Sequence, residues 1–214
     1  FFLLLVVGSI NNINFNDLKL QNVNNINIVG LDIEDKLILL KKIKNFNLNN
    51  IFFISKNDLI NEIESNSLVE KYFIFKKYPS SIDINIEKTK FLAKINKNGQ
   101  VFYLGSNGKF TKNDFSNNQL PYIFGSPEVI EFFYIKEVID KSKITYKEIK
   151  NLYFYPSRRW DLELRNNIII KLPKDNSNLA LNLALEFLYK EEFKDVKIID
   201  ARIENQIILD DRKN

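Results

Sequence analysis

Residues 197–210, Lys-Ile-Ile-Asp-Ala-Arg-Ile-Glu-Asn-Gln-Ile-Ile-Leu-Asp, alternate in polarity. Ile199, Ala201, Ile203, Ile207 and Leu209 share one parity, while Asp200, Arg202, Glu204 and Gln206 share the other. A two-residue period is what a strand with one buried face needs, so these residues are predicted to form a single strand. The strand falls within a few residues of the end of the sequence, where no later segment is available to cover its second side. Such an edge is either blunted by charge or used to pair with another protein.

Composition narrows the chemistry. At 214 residues the chain can form one large domain or two small ones, each with a core. Hydrophobic residues at 45% and charged residues at 27% are ordinary for a globular protein. The net charge of +4 is spread along the chain without an arginine-rich block, which argues against a nucleic-acid partner. With no Cys and no His, there is no thiolate nucleophile, disulfide framework, histidine base or zinc site of the usual kinds. No cofactor, metal or small-molecule substrate is predicted. The chain also has no Met, as expected of an N-terminally trimmed sequence.

Residues 1–7, Phe-Phe-Leu-Leu-Leu-Val-Val, are a continuous apolar run. A membrane span needs about 20 such residues. The run therefore reads as the end of a truncated transmembrane helix, with a buried strand as the competing reading. Residues 8–25 form a polar tether. A short strand at 26–29 precedes a helix capped by Asp32, with Ile33, Leu37, Leu40 and Ile43 as its buried stripe. Ser55 caps a second helix, where Leu59, Ile60 and Ile63 face inward and Asp58 takes the capping-box position. Residues 69–78 return to strand character. A third strand alternates Ile82, Ile84 and Ile86 with Asp83, Asn85 and Glu87. The order β-α-α-β-β predicts a three-stranded sheet with two helices on one face.

From Phe91 onward strands dominate, with turns at Asn98-Gly99 and Gly105 to Gly108. Gly105-Ser106-Asn107-Gly108-Lys109 lacks the spacing of a phosphate loop and reads as a hairpin turn. Ser126-Pro127-Glu128 opens a helix to about Asp140. Strands at 152–155, 159–164 and 168–172 follow, then a helix over 178–193 and the final strand. The fold class is α+β. A mainly antiparallel β domain with two supporting helices follows the smaller layer, and the sheet is expected to run continuously between them near Lys90.

Arg158-Arg159-Trp160-Asp161-Leu162, followed by Ile170-Lys171-Leu172-Pro173, resembles the RRWDL…I-x-LP segment of the FtsQ/DivIB family of bacterial cell-division proteins. Val69, Tyr72, Ile74, Lys76, Tyr78-Pro79, Ser81-Ile82, Ile84 and Ile86-Glu87 are similar to the core pattern of that family's POTRA domain. Leu120-Pro121…Gly125 resembles its LPxxxG, and Asp200-Ala201-Arg202 its terminal D-L-R strand. The chain departs from the pattern at Thr89, Phe91, Gly105, Ala201 and Ile203, which makes it a divergent member.

The resemblance implies the end of a transmembrane helix at 1–7, a periplasmic tether at 8–25, a POTRA domain at 26–93 and a β domain at 94–214. It further implies a non-catalytic scaffold of the divisome, single-pass in the inner membrane with its C-terminal domains in the periplasm at the septum. FtsB- and FtsL-like proteins are its implied partners, alongside other divisome members. The implied contacts on the last strand are Arg202, Ile203, Asn205, Gln206 and Ile208; on the POTRA surface they are Lys71, Ile74 and Lys76. The competing readings are a strand that only closes its sheet, an Ile74 that belongs to the core, and ordinary edge lysines. A POTRA-bearing module for outer-membrane protein assembly or secretion is the alternative function; it predicts repeated units or a following barrel, and the sequence shows neither.

Two further clusters have residue-level readings. Arg158, Arg159 and Trp160 suit an interface anchor, but are read as a core tryptophan with arginines paired to nearby acids. Asp161 and Glu163, two apart on a strand and about 6.5–7 Å apart by strand rise, match the spacing of glycoside-hydrolysing acids. They are read instead as the exposed positions of a half-buried strand.

Overall fold

The structure is a computed structural model that describes residues 22–46, 48, 51, 54–112, 119–190 and 195–211. The expected membrane-helix end at 1–7 and most of the tether lie outside the described residues. No helix among the described residues is long and apolar enough to cross a membrane. The chain divides into two units, one ending at Thr89 and one beginning at Lys90.

The first unit runs β1 (Asn25–Val29), α1 (Ile33–Lys44), α2 (Lys56–Ser65), β2 (Val69–Lys77) and β3 (Ser81–Lys88). This is the predicted β-α-α-β-β order. Strand β3 is central, parallel to β1 and antiparallel to β2. Its alternation sets the layer: Ile82, Ile84 and Ile86 are buried, in register with Ile26 and Ile28 of β1 and with Tyr72 and Ile74 of β2. Leu39 and Ile43 of α1 and Leu59 and Ile63 of α2 belong to the same core. The Ser55 hydroxyl caps α2 as predicted, accepting the Asp58 N–H at 3.2 Å. Gly30 turns the chain at φ +101°, and a β-carbon there would sit 1.8 Å from the Ile86 carbonyl oxygen, so no side chain fits.

The inward face of α1 agrees with expectation at Ile43 and at Leu40, which packs against the core, and differs at Ile33 and Leu37. Leu39 and Ile43 are buried, whereas Ile33 and Leu37 are 79% and 57% exposed. Both pairs have i, i+4 spacing, so periodicity could not choose between them.

The second unit comprises β4 (Phe91–Lys97), β5 (Gln100–Gly105), β6 (Phe110–Thr111), β7 (Tyr122–Phe124), α3 (Val129–Asp140), β8 (Ile149–Phe154), β9 (Trp160–Leu164), β10 (Ile169–Lys171), α4 (Ser177–Leu188), β11 (Ile198–Asp200) and β12 (Ile208–Asp210). Its sheet has the order β12-β11-β10-β9-β8-β7-β4-β5-β6. Helices α3 and α4 each connect a parallel pair, β7 to β8 and β10 to β11. One apolar rung crosses seven strands: Ile95, Ile123, Leu152, Leu162, Ile170, Ile199 and Leu209. Phe132, Ile135 and Ile139 of α3 and Leu181 and Leu185 of α4 share the core with that rung.

Three expectations need correction. The two sheets are separate. The Thr89 N–H donates to the Leu68 carbonyl while the Lys90 N–H donates to the Ser106 hydroxyl, so neighbouring residues are tied into different units. Phe91 to Ala93, expected in the first domain, lie in β4 and pair with β5. Residues 197–210 are not one strand. Ala201 is still buried and its N–H donates to the Lys171 carbonyl, but the chain then turns through Asn205 at φ +56° and returns as β12, antiparallel to β11.

Candidate partner-binding surfaces

Where the described sheet ends, β12 is its border strand. The register Tyr153–Asp161–Lys171–Asp200–Ile208 runs across β8 to β12 on the face opposite the apolar rung. Four of these five positions are polar, as the alternation requires, and the last is an isoleucine left 47% exposed. Ile207 and Leu209 point the other way and pack against the core. The border thus has its inner face anchored and its outer face open.

The connection between β11 and β12 carries most of the sequence-predicted contacts. Arg202, Ile203, Asn205 and Gln206 lie in it, and only Ile208 lies on a strand. Ile203, assigned by parity to the inward set, is 53% exposed because the turn takes it out of the ladder. The Gln206 N–H closes the turn on the Ile203 carbonyl at 3.2 Å. A groove of about 530 Å³ separates this connection from α4, lined among others by Leu179, Leu183, Ala201, Arg202 and Ile203. Leu179 is 65% exposed there.

Charge fixes the base of the hairpin. Asp200 is gripped by Arg202. Burial pushes the Asp200 carboxyl up, but the Arg202 hydrogen bonds outweigh it, and the group ends below its ordinary value. Two strands further in, Asp161 is 3% exposed, not the surface acid that alternation predicted. It accepts from Arg159 at 3.0 Å, and Tyr155, Lys171 and Arg202 also act on it. Burial wins there, and its carboxyl lies above the ordinary range. Glu163 accepts from Lys150, Asn151 and Tyr153 at 2.6–2.8 Å; burial raises it, and these bonds bring it below the usual value. Each acid thus has its own set of donors. Trp160 is 2% exposed against Phe154, and Arg158 pairs with Glu131 at 2.7 Å. The tryptophan and its two arginines are therefore structural, as read from the sequence.

On the first unit the structure separates the three predicted residues. Lys71 is exposed and pairs with Glu87 at 3.3 Å. Ile74 packs against the core. The Lys76 ammonium donates to the carbonyls of Ile51 and Ile54 at 2.9 and 3.2 Å. The outward face of β2 that carries Lys71 also presents Phe73 and Phe75, 59% and 50% exposed. Their alternation with Tyr72 and Ile74 was the available signal, masked because both parities are apolar.

The family model described as Cell division protein FtsQ/DivIB, C-terminal, matches residues 86–202. That match spans β4 to β11 and stops at Arg202, so Ile203 to Ile208 lie beyond it. A cell division protein FtsQ from Rickettsia bellii is 25% identical over 195 residues, covering 90% of this chain and 72% of that protein. The FtsQ of Rickettsia prowazekii is 26% identical over 187 residues, covering 85% and 69%. The cell division protein DivIB of Staphylococcus aureus is 26% identical over 139 residues, covering 64% of this chain and 30% of its own length.

Proposed function

Since the chain belongs to the FtsQ/DivIB family of cell-division proteins, we propose that it is a non-catalytic, single-pass membrane scaffold of the divisome. In this reading residues 1–7 end its membrane helix, the first unit is a POTRA domain, and both units lie in the periplasm at the septum. Its partners are FtsB- and FtsL-like proteins, received at the β11–β12 hairpin. One observation carries the reading: a border strand whose inner side chains are packed into the core while Ile208 stands exposed beside it. A partner strand added there gains main-chain hydrogen bonds, while Ile208, Ile203 and the groove along α4 select its side chains. Asn205 and Gln206 shape the turn, and Arg202 sets its base. The β-α-α-β-β order supports the POTRA reading of the first unit, where Lys71, exposed on β2, marks the proposed second contact surface.

The test is copurification of the intact protein with FtsB- and FtsL-like proteins, repeated with Ile208→Glu and Gln206→Pro. The first change places a charge at the border. The second removes the N–H that closes the turn. Both variants should lose the partners while keeping the wild-type melting profile of the second unit. Normal capture and normal division with both variants would rule the hairpin out.

A further inference from the structure

Helix α1 is apolar on two sides. Leu39 and Ile43 fill the core, while Ile33, Leu37 and Ile38 are 79%, 57% and 55% exposed. At about 100° per residue, Ile33, Leu37, Lys41 and Lys44 fall together on the outward side, with Ile38 at its rim. Apolar side chains grouped in this way mark a surface that something covers. Lys42 is held by Glu62, but Lys41 and Lys44 have no ion pair among the described residues; Glu34 is the one acid on that side. An apolar strip continued by lysines suits a membrane interface, where the chains enter the acyl boundary and the ammoniums meet anionic headgroups.

We propose that the outward face of α1 lies on an anionic lipid surface and holds the first unit against the membrane. This rests on the reading of residues 1–7 as membrane-embedded. From Val7 to Asn25, where β1 begins, is 18 residue steps (25 − 7), or about 60 Å at full extension. The face is thereby confined near the bilayer, and a contact too weak to bind from solution is occupied at that effective concentration. The same two lysines weigh against an apolar protein groove, which would bury them without counter-charge.

The chain has no cysteine, so Ile38→Cys gives a single site for an environment-sensitive fluorophore. A Phe73→Cys label on β2 serves as the control. The full chain is incorporated into vesicles of equal parts phosphatidylglycerol and phosphatidylcholine, and into phosphatidylcholine alone, with flotation read separately from fluorescence. The expected result is headgroup-nitroxide quenching at position 38, confined to the phosphatidylglycerol vesicles. Lys41→Glu/Lys44→Glu should weaken it by about tenfold or more, and Leu37→Asn should abolish it without altering the thermal melt. If the chain floats but the position 38 probe stays water-like, the α1 proposal falls and the anchor reading stands. If the chain does not float, both fall. Quenching that ignores lipid charge, or protection that appears only when a division protein is added, also overturns the proposal.

Discussion

Arg202 holds Asp200 through four hydrogen bonds. Its Nε donates to the two carboxylate oxygens at 2.8 and 3.0 Å, its Nη2 donates to Oδ2 at 2.5 Å, and its backbone N–H donates to Oδ1 at 3.1 Å. The folded-state carboxyl is thereby held below 3.8. An acid lowered in this way contributes stability that is fully present above its unfolded value and is lost as pH falls through the folded one. Urea midpoints of wild type and Asp200→Asn should therefore differ at neutral pH and converge below 3.8. A constant gap down to low pH would show that the clamp does not titrate.

Asp161 should behave in the opposite sense. Its burial raises the folded value above 3.8, so the folded state binds more protons and stability falls as pH rises through that interval. Wild type should gain on Asp161→Asn as pH is lowered from neutral toward 3.8. The two aspartates thus titrate on opposite sides of one ordinary value, and paired pH series of the single variants distinguish them.

Lys76 ties β2 to the carbonyls of Ile51 and Ile54. Lys76→Met removes both charged hydrogen bonds and should destabilise the first unit by about 1–3 kcal/mol. The measurement is a chemical melt of the isolated protein. A loss of partner capture with an unchanged melt would instead assign Lys76 to recognition.

The single tryptophan, Trp160, is buried in the second unit and so reports that unit's unfolding. Gly30→Ala forces a side chain into a positive-φ position against the Ile86 carbonyl and should cost the first unit more than about 1 kcal/mol. Far-UV circular dichroism should then show an early transition while the Trp160 emission midpoint stays at its wild-type position. A matching shift in Trp160 emission would mean that the two units unfold cooperatively.

Local chemistry made much of the fold legible. Ser55 stands three residues before Asp58, and Asn98-Gly99 can take the positive φ of a tight turn at +54° and +80°. Ile82, Ile84 and Ile86 declare their own sheet face. What failed was choice between equivalent patterns. Ile33/Leu37 and Leu39/Ile43 are equally good helical pairs, and only the tertiary layer selects the second. At the last hairpin, parity survives the turn by coincidence and no glycine or proline interrupts it; the one residue suited to left-handed backbone is Asn205. Asp161 looked like a surface acid because alternation says which face a residue takes, not whether neighbours such as Tyr155 and Arg159 then cover that face. The residues of the proposed docking site were readable only through family likeness. The border geometry that gives them a role came from the pairing of β11 with β12.

Strands β10, β11 and β12 are three residues each, so few ladder bonds hold them, and β11 reaches β10 only by way of α4. Amide exchange at the hairpin should therefore report on the opposite side of the sheet. Loosening Leu181 or Leu185 inside α4 would raise the opening rate at Ile199 and Leu209 without touching a residue a partner could reach. Rigidity at the proposed docking border is, in this fold, a property set from behind.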